Sequence, residues 1–153
     1  CNNQEDNRNR TNANVTERAL REIYLRGFEI ALREGNAQAL MSSYNKVNGE
    51  YVNNSRDLLT RVLRCEWGFE GLVMTDWYAT GGKLGDHRGA IQAGTDLIMP
   101  GGRKVVRELA RQVRSGRLEE KALRRSGARV IRGVSGSRIY QAYRKKYGTK
   151  KEA

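Results

Sequence analysis

The sequence has 153 residues, of which 38% are hydrophobic and 30% are charged, and it carries a formal net charge of +12 at pH 7. This length suits one domain with its own core. The composition excludes a disordered chain, and an integral membrane protein is excluded because no apolar run approaches the roughly 18 residues of a membrane span. Cys1, Cys65 and His87 lack metal-ligand spacing, so the sequence predicts neither a metal site nor a disulfide framework.

The positive charge is concentrated at the C-terminal end of the chain. Residues 1–100 carry 12 Lys and Arg against 13 Asp and Glu, whereas residues 101–153 carry 17 against 4. Clustered basic residues favour phosphate binding, so a nucleic-acid-binding module formed by residues 101–153 is one hypothesis for the function. No helix-turn-helix, RNP-like or zinc-finger motif accompanies the charge, and the pattern favours solvated helix faces with a basic tail.

The N-terminal residues predict a loop followed by a helix. Residues 1–13 are almost wholly polar, which is typical of a loop. Asn14 and Glu17 have the spacing of a capping box. Apolar residues then recur on one helical face until Gly35 and Asn36 end the helix.

A short strand and a second helix follow. Residues 37–44, AQALMSSY, predict a buried strand, and the polar residues 45–54 predict a loop. Ser55 is placed to cap a helix whose apolar residues recur at helical spacing until Trp67 and Gly68.

The remaining sequence continues the alternation of strands and helices. Residues 72–75 predict a second strand, and the glycine-rich loop 79–89 leads into a short helix. Residues 95–100, TDLIMP, predict a third strand that ends at the only proline. Helical periodicity then returns at residues 105–113 and again at 123–134.

This alternation is typical of βα units with a parallel sheet. Three strands leave both edges of such a sheet open, and a closed (β/α)₈ barrel requires about 250 residues. The sequence therefore predicts an α/β fold that is the C-terminal part of a (β/α)₈ TIM-like barrel. This incomplete barrel has about three parallel strands with flanking helices over residues 1–134, followed by a basic tail at residues 135–153.

Candidate functional residues lie where the predicted strands end. In parallel α/β folds, the loops at the carboxyl ends of strands carry the chemistry. Asp76 follows the second strand and precedes Trp77 and Tyr78, and Tyr44 follows the first. Aromatic faces pack against sugar C–H faces, and an ionised carboxylate there suits a glycosidase. Asp76 as a helix cap and Trp77 as a core residue are the alternatives.

Four blocks of sequence together carry a resemblance to a known family. They are NQEDNR…TERALREIYLRGFEIA, ALMSSYNKVNG, LLTRVLRCEWGFEGLVMTDW and AIQAGTDLIMPG. In this order, over about residues 2–134, they resemble glycoside hydrolase family 3 and, within it, bacterial β-glucosidases. The resemblance implies a retaining hydrolysis of terminal β-D-glucosyl residues through a covalent glycosyl-enzyme, without a cofactor.

The resemblance also implies roles for individual residues. Asp76 matches the catalytic nucleophile, Trp77 the aromatic residue beside it, and Met41 and Tyr44 positions that line the same sugar subsite. Glu5 and Arg8 of the QE..R loop are interpreted as structural residues. Three glutamates match no acid/base motif of the family: Glu50, Glu66 and Glu70.

Several parts of the family pattern have no match in this sequence. The family's Lys-His pair and earlier barrel strands would precede Cys1, and its acid/base glutamate usually lies in a second domain. The partners implied are therefore a β-glucoside substrate, an N-terminal barrel half and a second domain, with nucleic acid and membrane disfavoured. The isolated chain is expected to be inactive and unstable, and the sequence leaves its cellular compartment open.

Overall fold

The computed structural model describes residues 1–148, which form an α/β arrangement of short strands and longer helices. The strands are β1 (Asn12–Ala13), β2 (Ala39–Met41), β3 (Lys46–Val47), β4 (Glu50–Tyr51) and β5 (Leu72–Met74). Helix α1 joins the consecutive segments Glu17–Ala19, Leu20–Tyr24 and Arg26–Arg33, and it is followed by α2 (Asp57–Glu66), α3 (His87–Ala93), α4 (Arg103–Arg114), α5 (Glu120–Ser135) and α6 (Arg138–Tyr147). Across residues 1–148, no helix has the length and apolar character needed to cross a membrane.

The sheet that carries the candidate site is built from β2 and β5. These strands are parallel, and Met41 pairs in register with Met74 at their carboxyl ends. The predicted third strand at residues 95–100 contributes only a single parallel bridge, between Met74 and Leu97. The ladder stops there because the side chain of Thr75, and not its backbone, accepts the next N–H, that of Met99, at 2.9 Å. The prediction of an α/β chain is thus confirmed, whereas three full parallel strands are not observed.

A second small sheet occupies segments that were predicted to be loops. Strand β3 pairs in parallel with β1 and antiparallel with β4. The β3–β4 hairpin turns at Asn48 and Gly49, which have φ angles of +51° and +90°. Two central residues with positive φ are what a two-residue hairpin turn requires, and Asn-Gly is its preferred sequence. The loop predictions for residues 1–13 and 45–54 are therefore wrong at these strands.

The sequence predicted the capping residue correctly for α2 but not for α1. Helix α1 is capped by Thr16, whose hydroxyl accepts the Ala19 N–H at 3.2 Å, so the prediction of a cap at Asn14 is wrong. The Asn14 side chain instead accepts a hydrogen bond from Asn12 at 2.8 Å. The predicted role of Ser55 at the start of α2 is confirmed, because its hydroxyl accepts the Leu58 N–H at 3.4 Å.

Two buried clusters hold the helices against the sheet. The first packs α2 and the end of α3 on β5, and the second packs α4 and α5 against α3; their members are Leu59, Leu63, Phe69, Val73 and Ala93, and Ile91, Ile98, Leu109, Leu118 and Ala122. Each large aliphatic or aromatic side chain buried here contributes about 1.5–3 kcal/mol. The clusters fix the base from which the strand ends project.

A buried ion triad connects the two clusters. The side chain of Asp96 is fully buried, and its oxygens accept from Arg64 at 2.6 Å and from Arg129 at 3.0 Å. The Val73 N–H donates to the same carboxylate at 3.0 Å. Burial lowers the pKa of the Arg64 guanidinium, although Asp96 opposes this shift. Because a buried charge is tolerated only with partners, Asp96 holds α2 and α5 to the sheet.

The predicted basic tail contains a helix. Ser137 caps α6 by accepting the Tyr140 N–H at 3.2 Å, and every residue of α6 is exposed. An ordered helix therefore occupies Arg138–Tyr147. Residues 149–153 of the predicted tail lie outside the described residues.

Candidate active site

The chain on both sides of Asp76 is fixed by the segment that follows α3. The Thr75 N–H donates to the Leu97 carbonyl at 2.9 Å, and the Thr75 hydroxyl accepts from the Met99 N–H at 2.9 Å. Two residues after Asp76, the Tyr78 N–H donates to the Met99 carbonyl at 3.0 Å. Asp76 therefore lies between two anchored residues at the carboxyl end of β5.

Asp76 points its carboxylate at a local backbone amide. One carboxylate oxygen accepts the Trp77 N–H at 2.6 Å, and the Asp76 carbonyl accepts the Ala79 N–H at 3.2 Å. The next helix, α3, is capped by a different acid, since Asp86 accepts the Gly89 N–H at 2.8 Å. Asp76 is half-buried and does not cap that helix.

Tyr44 lies beside Asp76. Its hydroxyl donates to the Trp77 carbonyl at 2.6 Å, which brings the loop after β2 to the loop after β5. Burial raises the pKa of the Tyr44 phenol, and the negative charge of Asp76 raises that pKa further. The structure thus brings together two of the sequence-predicted site residues, Tyr44 and Asp76, with the backbone of a third, Trp77.

Arg8 joins this group, although the sequence indicated a structural role for it. Its guanidinium carbon lies 5.3 Å from the centroid of the Tyr44 ring, and it pairs with Glu5 at 3.1 Å. Its positive charge partly offsets the upward shift in the pKa of Tyr44. The contact joins residues 36 positions apart in the sequence, and helical or strand periodicity carries no signal for it.

The remaining predicted site residues present exposed apolar surface. Met41 ends β2 and is 57% exposed, and Trp77 is 53% exposed. The rings of Trp77 and Tyr78 meet edge to face with centroids 6.0 Å apart. Tyr78 adopts a φ of +56°, a region that is costly for a bulky residue, so the surrounding hydrogen bonds hold it there. Trp77 is therefore a surface residue and not part of the core.

An apolar groove lies between α1, β2 and α2. Its lining includes Tyr24, Phe28, Leu40, Met41 and Trp67. Asp76 is not among the residues that line it. Met41 is the site residue that the groove shares with the strand ends.

The three glutamates outside the family motifs occupy other places in the fold. Glu66 ends α2 and binds Arg21 at 2.6 Å, and the hydrogen bond from Arg21 lowers the pKa of this glutamate. Glu70 lies 3.7 Å from Arg132, and Glu50 belongs to β4. Each is thus accounted for by an ion pair or by the hairpin.

Comparison with known proteins places this geometry in a family. Residues 2–133 match the glycosyl hydrolase family 3 N terminal domain. The chain is 44% identical over 134 residues to a beta-glucosidase of Rhizobium radiobacter and 50% identical over 101 residues to the probable beta-glucosidase J of Emericella nidulans. These matches cover 86% and 66% of this chain but only 16% and 11% of the relatives, so the chain spans a small part of their length.

Solved structures give the same result. Beta-glucosidase 3B from Thermotoga neapolitana superposes with a TM-score of 0.85 at 42% identity, over 94% of this chain and 21% of that one. A beta-glucosidase from Bifidobacterium adolescentis superposes with a TM-score of 0.84 at 37% identity, over 93% and 20%. The chain belongs to glycosyl hydrolase family 3 and matches its N-terminal domain over residues 2–133.

Proposed function

We propose that this chain is the nucleophile-bearing part of a retaining β-glucosidase and that Asp76 is the nucleophile. The observation that carries the proposal is the position of the Asp76 carboxylate, which is fixed at the carboxyl end of a parallel strand beside Tyr44. Functional groups of parallel α/β folds gather at this end of the sheet. The relatives named beta-glucosidase support a β-glucoside as the substrate.

In the proposed reaction, the carboxylate of Asp76 attacks the anomeric carbon while the bond to the leaving oxygen breaks. An acid protonates the leaving oxygen, and water later cleaves the glycosyl ester with the same group acting as a base. The hydrogen bond from the Trp77 N–H holds one oxygen of Asp76 and so orients the other. Retaining glycosidases place the acid/base carboxyl group about 5–5.5 Å from the nucleophile, and we assign that group to another part of the enzyme.

The neighbouring side chains supply a subsite for the glucosyl residue. Trp77 offers an exposed ring of the kind that packs on sugar C–H faces. Arg8 offers a guanidinium as a hydrogen-bond donor to sugar hydroxyls, and Tyr44, whose proton is donated to the Trp77 carbonyl, offers its oxygen as an acceptor. Met41 adds apolar surface at the end of β2. We propose these four residues as substrate-binding positions around Asp76.

The apolar groove marks where the rest of the barrel packs. Among the residues that line it, Phe28 is 52% exposed and Tyr24 is 44% exposed on α1, and Met41 is 57% exposed on β2. Apolar patches of this kind usually mark an interface. We propose that β2, β5 and the Leu97 segment are successive barrel strands, that residues 1–134 form part of the catalytic barrel, and that the other strands cover the groove. The 153-residue chain alone is then inactive.

The C-terminal charge does not favour nucleic-acid binding over this function. Several basic side chains are engaged within the chain: Arg124 pairs with Glu120 at 2.6 Å, and Arg129 pairs with Asp96 at 3.0 Å. Part of the positive charge therefore stabilises this fold. Binding of the chain to single-stranded RNA across a salt series checks the point, with a shallow salt dependence expected.

The test is covalent labelling of the complete enzyme that contains this chain. Incubation with an activated 2-deoxy-2-fluoro-β-glucoside, digestion and mass spectrometry should find the sugar on the peptide with Asp76. Asp76→Asn should lower kcat by about four orders of magnitude or more, because the covalent step is lost. Asp57→Asn is the matched control, since Asp57 pairs with Arg61 on the exposed face of α2. A label on another residue, or near-normal turnover by Asp76→Asn, overturns the proposal.

A further inference from the structure

A buried amide lies beneath the candidate active site. Asn53 belongs to the 3₁₀ turn Val52–Asn54 between β4 and α2, and its side chain is fully buried. A buried carboxamide costs free energy unless its donors and acceptor are hydrogen-bonded. The partners of Asn53 therefore show what the residue does.

Asn53 bonds to the two chain segments that carry the site. Its Nδ2 donates to the Ser43 carbonyl at 3.1 Å and to the Ala79 carbonyl at 3.2 Å. Its Oδ1 accepts from the Ser42 hydroxyl at 2.5 Å. Both N–H groups of the carboxamide are thus used, one toward the end of β2 and one toward the loop after β5.

The two carbonyls are adjacent to the reacting residues. Ser43 immediately precedes Tyr44, and Ala79 closes the turn that begins at Asp76, since its N–H donates to the Asp76 carbonyl at 3.2 Å. Asn53 is itself held from below, because its backbone carbonyl accepts from the Thr95 hydroxyl at 3.1 Å. The side-chain amide of Asn53 therefore connects the segment that carries Tyr44 to the turn that begins at Asp76, and the backbone of Asn53 is itself held by Thr95.

Backbone pairing does not extend across this gap. The last backbone hydrogen bond between the two segments runs from the Ser42 N–H to the Met74 carbonyl, at 2.9 Å. Beyond it, within residues 1–148, the amide of Asn53 and the hydrogen bond from Tyr44 to Trp77 are the links between the segments. Without the bonds from Asn53, the exposed hydrogen bond from Tyr44 to Trp77 is the link that remains between the two segments beyond the strand pairing.

We propose that Asn53 is a positioning residue, whose carboxamide sets the spacing between Tyr44 and Asp76. The inference rests on the proposed function in naming Asp76 as the reacting group. A displacement of the reacting atoms by about 1 Å costs on the order of 10²-fold in rate. Removal of the carboxamide should therefore slow the attack on the sugar by about 10- to 100-fold and leave sugar binding nearly unchanged.

The variants are chosen to separate positioning from stability. Asn53→Leu keeps the approximate shape and removes all three side-chain hydrogen bonds. Ser42→Ala removes the bond to Oδ1 and the 3.2 Å contact of the same hydroxyl with the Met74 carbonyl. It keeps both bonds from Nδ2 and should slow the reaction less, by about three- to tenfold. Thr60→Val is the matched control, because it also loses one interior hydrogen bond, from the Thr60 hydroxyl to the Ala93 carbonyl at 2.6 Å, without touching the two segments.

The first measurement is the labelling kinetics of the complete enzyme with the 2-deoxy-2-fluoro-β-glucoside. Asn53→Leu should lower the first-order labelling rate constant and keep the dissociation constant of the reagent within about threefold. Thr60→Val should change neither quantity. A lower melting temperature of Asn53→Leu with an unchanged labelling rate constant shows a merely structural role and overturns the inference. If Asn53→Leu does not fold, an unchanged labelling rate constant in Ser42→Ala overturns it.

The second measurement does not depend on catalysis. In protein labelled with ¹³C at the tyrosine ζ carbon, Tyr44 is assigned by its loss in Tyr44→Phe, and its titration is followed by NMR. In Asn53→Leu the pKa of Tyr44 should fall toward that of a free tyrosine, as in Asp76→Asn. If this shift occurs while the sugar labels a residue other than Asp76, the positioning role stands and the proposed function fails. If Asp76 is labelled while the labelling rate constant and the titration are both unchanged in Asn53→Leu, the positioning role fails and the proposed function stands.

Discussion

The hydroxyl of Tyr44 donates a 2.6 Å hydrogen bond to the carbonyl of Trp77. Two loops that are 33 residues apart in the sequence are thereby joined at the carboxyl ends of β2 and β5. The phenol lies next to the Asp76 carboxylate as a result, and the pKa of Tyr44 is raised by burial and by that charge.

Tyr44→Phe removes the hydrogen bond to the Trp77 carbonyl and should therefore slow the reaction. The loss of this hydrogen bond between the two loops corresponds to a decrease in kcat/KM of about 2-fold to 10-fold, measured with an aryl β-glucoside on the complete enzyme. An unchanged kcat/KM would contradict a role for the phenol. Tyr51→Phe is the control, since the Tyr51 hydroxyl bonds to the Lys83 carbonyl, in the glycine-rich loop, at 3.3 Å.

Tyr44 should also shape the dependence of stability on alkaline pH. Its pKa is raised in the folded state, so the folded protein holds this proton more tightly than the unfolded chain. The resulting stability is fully present below the unfolded pKa of about 10 and is lost as pH rises through the folded pKa. Urea unfolding at a series of pH values should show a smaller alkaline loss in Tyr44→Phe. Equal losses in both proteins would contradict the shift.

Asp96→Asn should be strongly destabilising. It removes the buried charge that Arg64 and Arg129 share and leaves both guanidinium groups without their carboxylate. Removal of one partner of a buried ion pair costs about 3–5 kcal/mol in the free energy of unfolding. Urea denaturation measures the cost, and Asp57→Asn, which breaks an exposed pair with Arg61, should change stability by about 0.5 kcal/mol or less. Similar effects of the two variants would contradict the role of the triad.

Two glycine substitutions should act in opposite directions. A Cβ at Gly71 would lie 2.3 Å from the Gln38 carbonyl oxygen and 2.6 Å from the Phe69 ring, so Gly71→Ala should destabilise the fold by about 1–3 kcal/mol. Gly27 is exposed on α1 with no atom within 4 Å of an added Cβ. Gly27→Ala should therefore stabilise by about 0.5–1 kcal/mol through helix propensity. Thermal melts of both variants provide the measurement, and equal shifts would contradict the packing at Gly71.

The apolar groove should make the 153-residue chain self-associate. Phe28 and Tyr24 line it and are exposed on α1, so the chain should bind a hydrophobic dye, melt broadly and elute larger than a monomer. Phe28→Lys should reduce dye binding, whereas Val106→Lys, on the outer face of α4 at 66% exposure, should change it little. A monomer with a sharp cooperative melt would contradict the open groove.

The sequence predicted the parts of the fold that follow from local patterns. Alternating elements identified β2, β5 and the helices α1 to α5, and the rule on strand ends brought Asp76 and Tyr44 to one edge of the sheet. Both inferences depend on periodicity and on the general behaviour of parallel strands. The order of elements was therefore sufficient to bring together two residues that are 32 positions apart.

The sequence could not predict contacts that depend on distant partners. Strand β1 exists because β3 pairs with it, and two residues of a polar segment carry no strand pattern of their own. The third strand is limited to a bridge because the Thr75 hydroxyl takes the place of a backbone acceptor. Arg8 and Asn53 are polar residues in polar surroundings, and only the tertiary fold gives them their places next to Tyr44.

The ion triad of Asp96 has a consequence for synthesis on the ribosome. Arg64 is 32 residues before Asp96 and Arg129 is 33 residues after it. When Asp96 leaves the exit tunnel, Arg64 has already emerged, but the second partner, Arg129, emerges only later with α5. Because a buried carboxylate requires its partners, the growing polypeptide cannot lock this layer of the fold until Arg129 has left the exit tunnel.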